Sequence, residues 1–212
     1  MNYLNSFLAF LEQRLESPLP GEEAQKIMAP LPDKQLRFKQ QRTGARESAV
    51  LINFLERNGR ILFPLIQRPK YDGAHSGQVA LPGGKKDVGD PNLDFTALRE
   101  AEEEIGLPRK VVSVHGQLTN LYIPVSNFMV TPVLGSIQEE VSFVPDDWEV
   151  DDILMCDLMK LIESPVEPMK TTLKLPHGPM KVPYFDIHGK IVWGATAIIL
   201  SELKALCSPY FH

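Results

Sequence analysis

The 212-residue chain sets 22 lysines and arginines against 27 aspartates and glutamates, a formal charge of −5, and 43% of it is apolar, enough for a substantial core. The lack of a basic surplus argues against a general nucleic-acid binder, while a metal or local basic cluster could still handle small anionic substrates. Cys156 and Cys207 stand far apart without neighbouring ligand residues, no apolar run reaches the roughly 18–20 residues of a bilayer span, and "MNYLNSFLAFLEQRL" lacks the basic start and small-residue cleavage site of a secretory signal; the expectation is a cytoplasmic protein without disulfides or a zinc site.

In chain order, Leu4, Leu8, Leu11 and Leu15 recur at i, i+4, i+7 and i+11, the stripe of an amphipathic helix that packs on the main domain. Residues 17–45, rich in proline and charge, read as a connecting arm with one short helix around "EEAQKIM". The apolar runs of "SAVLINFLERNGRILFPLIQR" flank an Asn-Gly pair, a strong hairpin signal. A helix follows around residues 94–105, then strands in "VVSVHGQLTNLYI" and "NFMVTPVLGSI". Acidic "VPDDWEVDD" leads into a strand-to-helix passage, "ILMCDLMKLIE". Short strands are expected in "TTLKL" and "VPYFDI", and "GATAIILSELKALC" closes as a helix. The pattern divides into a helix and arm over 1–45 and a main domain over 46–212. Strands outnumber helices and most connections are too short for helical crossovers, so the class is α+β, a mixed sheet with helices packed on its faces.

The stretch "REAEEEIG", Arg99 to Gly106, is the chemically informative one. At about 100° per residue, Glu100, Glu103 and Glu104 fall on one narrow face, Leu98, Ala101 and Ile105 with Ala97 on another, and Glu102 points away. Like charges at this spacing repel by roughly 0.2–0.5 kcal/mol per pair. They form either a solvated surface or a site for a hard cation, since Mg²⁺ and Mn²⁺ take oxygen ligands. Arg99, one turn before Glu103, can hold that carboxylate in an i, i+4 ion pair. Upstream, "LPGG" reads as a turn whose glycines let backbone approach a ligand closely.

Residues Gly84 to Leu107 resemble the Nudix box, G-x5-E-x7-R-E-U-x-E-E-x-G-U with U aliphatic. "REAEEEIGL" matches its second half through Arg99, Glu100, Ala101, Glu103, Glu104, Gly106 and Leu107. The first half departs from it: Asp90 stands where the pattern has Glu, and eight residues rather than seven separate it from Arg99, which leaves Asp90 without an assigned role. More widely, "PLIQRPKYDGAHSGQVALPGG" is similar to the coenzyme A pyrophosphatase-like branch in Arg68, Gly77, Pro82, Gly83 and Gly84. It carries Ile66, Pro69, Gly73 and Leu81 where that branch has Thr, Ser, Arg and Phe.

The resemblance implies a Nudix-like α/β/α sandwich and Mg²⁺- or Mn²⁺-dependent hydrolysis of a nucleoside diphosphate derivative, with coenzyme A leading and ADP-ribose or NADH as alternatives. It implies Glu100, Glu103, Glu104 and the backbone carbonyl of Gly83 or Gly84 as metal ligands, with Arg99 orienting Glu103. The general base is Glu103 or an acid outside the box, Glu139, Glu140 or Glu149, although loop acids are ordinarily solvated. Arg68, Lys70, His75 and Lys85 are the candidates for substrate phosphates, and Trp193 and Tyr184 for stacking an adenine ring. The implied partner is a small nucleoside diphosphate substrate, not nucleic acid or a membrane; a homodimer stays open. A Nudix domain that binds nucleotide without cleaving it is the rival reading.

Overall fold

The computed structural model describes residues 3–30, 44–70, 76–175 and 178–211. Helix α1 (Tyr3–Leu15) buries Leu4, Phe7, Leu8 and Leu11, three of the four leucines that the spacing foretells with Phe7 added, while Leu15 is only half-buried against the same core. A short α2 (Gly21–Ile27) follows at the expected place. Strands β1 (Arg46–Arg57) and β2 (Arg60–Gln67) form the expected hairpin, pairing Arg57 with Arg60. Asn58 and Gly59 take φ of 54° and 69° at its turn, the left-handed conformation that an Asn-Gly pair accepts at low cost.

After the short strands β3 (Val79–Ala80) and β4 (Gly83–Lys85) comes helix α3 (Leu93–Ile105), which carries the glutamates. Strands β5 (Ser113–Gln117), β6 (Leu121–Ile123), β7 (Phe128–Ser136) and β8 (Asp152–Asp157) complete the large sheet, and helix α4 (Leu158–Glu163) follows directly. A smaller sheet contains β9 (Met169–Leu175), β10 (Gly178–Ile187) and β11 (Lys190–Trp193), and α5 (Gly194–Phe211) closes the fold.

Among the described residues the large sheet runs β3-β2-β1-β7-β5, with β4 added to β1, β6 to β7 and β8 to β2. Its axis is the parallel pairing of β1 with β7, from Arg46 opposite Phe128 to Phe54 opposite Ser136. Parallel neighbours require a crossover, and α3 lies in the chain between these two strands. The architecture is the α+β mixed sheet with helices on its faces. The "LPGG" segment is a strand edge and not only a turn, because Gly83 and Gly84 pair with Val50 and Ala49 of β1.

Residue alternation along β1 sends Ile52 and Phe54 to one face and Ala49, Leu51 and Leu55 to the other. The first face packs α1, α4 and α5, with Phe7 edge-on to Phe54 at 5.1 Å between ring centroids. The second face packs α3 through Ala97, Ala101 and Ile105. The arm is tied down by Glu202 of α5, fully buried, which accepts from the Gly21 amide (3.1 Å), the Thr119 amide (3.2 Å) and hydroxyl (2.7 Å), and the Gln25 side chain (2.7 Å). Both cysteines are buried and free, and no helix among the described residues is long and apolar enough to cross a membrane.

Because Phe7 is fully buried between the sheet and the end of α5, Phe7→Ala is expected to lower unfolding free energy by about 3–5 kcal/mol in urea titrations. A loss below about 1 kcal/mol would contradict an N-terminal helix integrated into this core.

Candidate active site on the glutamate helix

Helix α3 starts where Asn92 accepts a hydrogen bond from the Phe95 amide at 2.8 Å, and it stops at Gly106, whose φ of 67° is the left-handed stop that glycine favours. Between these caps, fully buried Ala97, Ala101 and Ile105 fix the helix rotation, and the glutamates are thereby aimed at β4. Small residues matter there. A Cβ on Gly83 would overlap the Ala49 carbonyl and Val50, and a Cβ on Gly84 would overlap the Glu100 carboxylate. Gly84 thus lets backbone meet carboxylate without an intervening side chain, and Gly83 lets β4 close on β1.

Glu104 is 1% exposed and accepts the Gly83 amide at 2.7 Å, while the Arg68 guanidinium approaches its other oxygen at 3.5 Å. Burial pushes its carboxyl up to about 8; Arg68 and the Gly83 amide oppose that rise, and the charges of Glu100 and Glu149 reinforce it. Glu100, half-buried against Gly84, is also raised, first by burial, with Arg99 pulling it back and Glu103 and Glu149 adding repulsion. Two acids of one helix and a third from a distant loop therefore press negative charge on one another.

The loop acid owes its place to backbone bonds. The amides of Val144 and Asp146 donate to the carbonyls of Ile105 and Glu104 at 3.0 and 2.9 Å, and the Asp146 side chain accepts the amides of Trp148 and Glu149 at 2.9 and 3.0 Å. The Asp151 amide then donates to Gln67 at the end of β2, 2.8 Å away, beside Arg68. Glu139 and Glu140 are exposed, and Glu140 lines a 430 Å³ cavity with Arg57 and Phe143 that Glu100, Glu104 and Glu149 do not border.

Arg99 is the hub of the exposed side. It grips Asp90 with two bonds (3.1 and 3.0 Å), Glu103 at 2.8 Å, Glu100 at 2.9 Å and the Lys85 carbonyl at 3.1 Å. Asp90 also accepts from the Thr96 hydroxyl at 2.9 Å and the Asp87 amide at 3.0 Å. The Arg99 guanidinium above all holds the Asp90 carboxyl down near about 2, against its burial. Asp90, left without a role by the sequence, thus anchors the residue that orients Glu103. The legible signal was an acid at the first acidic position of the pattern, altered only in side-chain length and spacing.

The expected convergence of three glutamates is only partly realised. The side chain of Glu103 is 58% exposed and drawn to Arg99, and no three His, Cys, Asp or Glu side chains among the described residues gather as a set able to hold an ion. Helical angles give the direction in which a side chain leaves the axis; the guanidinium groups of Arg99 and Arg68 decide where these carboxylates end. Of the phosphate candidates, Arg68 reaches the site, Lys70 and Lys85 have exposed side chains, and His75 lies outside the described residues. Tyr184 and Trp193 face each other across β10 and β11, half-buried in the small sheet. Glu102, pointing away as expected, pairs with Arg109 at 2.5 Å.

The NUDIX domain model matches residues 45–174 of this chain. The chain belongs to the Nudix family. An uncharacterised Nudix hydrolase, NudL, of Yersinia pestis (strain Pestoides F) is 34% identical over 159 residues, covering 74% of this chain and 78% of its own. A MutT/nudix family protein from Enterococcus faecalis is 14% identical, with a TM-score of 0.49 over 87% of this chain and 73% of that one. An Ap4A hydrolase of C. elegans in a binary complex is 20% identical, with a TM-score of 0.48 over 56% of this chain and 84% of its own. In this Nudix hydrolase the glutamates lie on α3, Gly83 and Gly84 on β4, and Asp90 in the loop between them.

Asp90→Asn in the Nudix hydrolase removes a buried charge from Arg99, and stability at neutral pH is expected to fall by about 1.5–3 kcal/mol. A carboxyl depressed in the folded state contributes stability that is complete above its ordinary value of 3.8 and is lost as pH falls through about 2. The gap between wild type and variant, followed by denaturant titration, is therefore widest near neutrality and closes toward pH 2. A gap that stays constant with pH would refute the ion-pair assignment.

Proposed function

We propose that this Nudix enzyme hydrolyses the diphosphate linkage of coenzyme A or a derivative of it, releasing 3′,5′-ADP and 4′-phosphopantetheine, in the cytoplasm. The observation that carries the reading is Glu104, a buried carboxylate fixed on a glycine amide beside Glu100, with Arg68 at its other oxygen. The coenzyme A preference rests on the similarity of the Arg68-to-Gly84 segment to that branch of the family.

The donor set is all oxygen and suits a hard divalent cation, which is commonly held by one or two carboxylates with phosphate and water completing the shell. Glu100 and Glu104, the carbonyl of Gly83 or Gly84, and Glu103 at the solvent edge would hold Mg²⁺ or Mn²⁺, which when bound neutralises phosphate oxygens and acidifies water. Arg68 presents its guanidinium to the diphosphate, a planar donor suited to phosphate oxygens. Lys70, His75 and Lys85 are further phosphate contacts in this reading. Glu103 is assigned to the cation and oriented by Arg99 at 2.8 Å, so the base in this reading is Glu149, whose charge acts on both Glu100 and Glu104. Its carboxylate takes a proton from the attacking water, the oxygen adds to phosphorus, and the anhydride P–O bond breaks toward the leaving phosphate.

Glu104→Gln is expected to abolish most Mg²⁺-dependent turnover while the folded circular dichroism signal persists; full activity would contradict the ligand role. Glu149→Gln is expected to lower kcat by about 10²-fold or more with the fold intact, whereas unchanged kcat would return the base to Glu103. Product identification with coenzyme A, ADP-ribose and NADH, each with Mg²⁺ or Mn²⁺, tests the substrate. Release of 3′,5′-ADP supports coenzyme A, preferred cleavage of either other compound replaces it, and tight binding without turnover of any would make the chain a nucleotide sensor.

A further inference from the structure

Trp148 is 88% exposed, an uncommon placement for the largest apolar side chain. Its backbone is not loose. The Asp146 carboxylate caps its amide, the Val150 amide donates back to the Asp146 carbonyl at 3.0 Å, and the Asp146 amide is bonded to Glu104 itself. The indole is therefore carried on a turn stitched to the last turn of α3 at one end and to the end of β2, next to Arg68, at the other. Its immediate neighbour in the chain is Glu149, whose charge acts on Glu100 and Glu104.

We propose that Trp148 is a substrate-binding residue on which the nucleobase of the diphosphate substrate stacks, while the diphosphate lies between Arg68 and the glutamates. This rests on the hydrolase reading above. An exposed ring held by backbone bonds gains contact area on binding with little ordering cost. In the chain the exposed indole stands as an apolar island between acidic Asp147 and Glu149. That island suits one planar ring and falls far short of the about 800 Å² per partner of a stable protein interface. Every nucleobase offers a π face, so stacking supplies affinity for the nucleoside end without a particular hydrogen-bond code. Stacking of this kind holds the substrate in ground and transition states alike, so its loss appears in KM and not in kcat.

The test compares wild type, Trp148→Phe and Trp148→Ala. Steady-state kinetics with coenzyme A and Mg²⁺ are expected to give a KM raised about tenfold or more in Trp148→Ala, in the range that base–aromatic stacking supplies. Trp148→Phe should stay within about threefold of wild type, and kcat within about twofold in both. In parallel, 3′,5′-ADP should quench the intrinsic tryptophan fluorescence of the wild type, and ribose 5-phosphate, pyrophosphate and 4′-phosphopantetheine should not; Trp148→Phe should lose the quench. An unchanged KM in Trp148→Ala, an equal rise in both variants, or quenching by the base-free compounds would overturn the proposal. If coenzyme A is not turned over at all, the function proposed above fails while the fluorescence comparison still decides the role of Trp148.

Discussion

Carboxylates on the last turns of α3 lie directly against the main chain of β4, a contact that exists only because Gly83 and Gly84 carry no side chain. On one side, β4 is pressed on β1, where any Cβ at Gly83 would collide with backbone. On the other, Glu104 takes the Gly83 amide and Glu100 lies over Gly84. The sheet thus fixes the strand, the strand fixes the carboxylates, and the apolar stripe of Ala97, Ala101 and Ile105 fixes the rotation that brings them there. Moving any of these three layers would release the buried charge into solvent.

Burying that charge has an electrostatic cost, and the fold answers it with guanidinium groups rather than by dispersing the acids. Arg99 is shared among Asp90, Glu100 and Glu103, and its own proton is held more tightly for it, chiefly by the bond to Asp90. Arg68 faces Glu104 from the neighbouring strand end. Glu104 keeps a strongly raised affinity for a proton even so, because burial outweighs both the arginine and the amide. A carboxyl shifted this far by burial and by neighbouring charge is the kind of group that clusters at functional sites.

Much of this could be read from the chain. The leucine spacing of α1, the Asn-Gly hairpin and the apolar stripe of α3 are local patterns whose physics is complete within one element, and each stands where periodicity puts it. What spacing could not supply was tertiary. Asp90 meets Arg99 only once the bend before α3 folds back, and the charge of Glu149 acts on Glu100 and Glu104 from a loop whose residues 144 and 146 bond through their amides to the end of that helix. Glu103, which shares a helical face with its neighbours, is turned outward by a side-chain ion pair that angular position does not encode. The "LPGG" segment reads locally as a turn, yet it forms a strand because β1 has an open edge for it.

In the proposed function Glu100 and Glu104, gathered on a glycine backbone, bind a divalent cation. Depletion of the free-ion signal in Mn²⁺ electron paramagnetic resonance titrations tests this most directly, with wild type compared against a Glu100→Gln/Glu104→Gln double variant of intact fold. Stoichiometric uptake by the wild type and loss of that uptake in the variant are expected. Equal uptake by both proteins would contradict it.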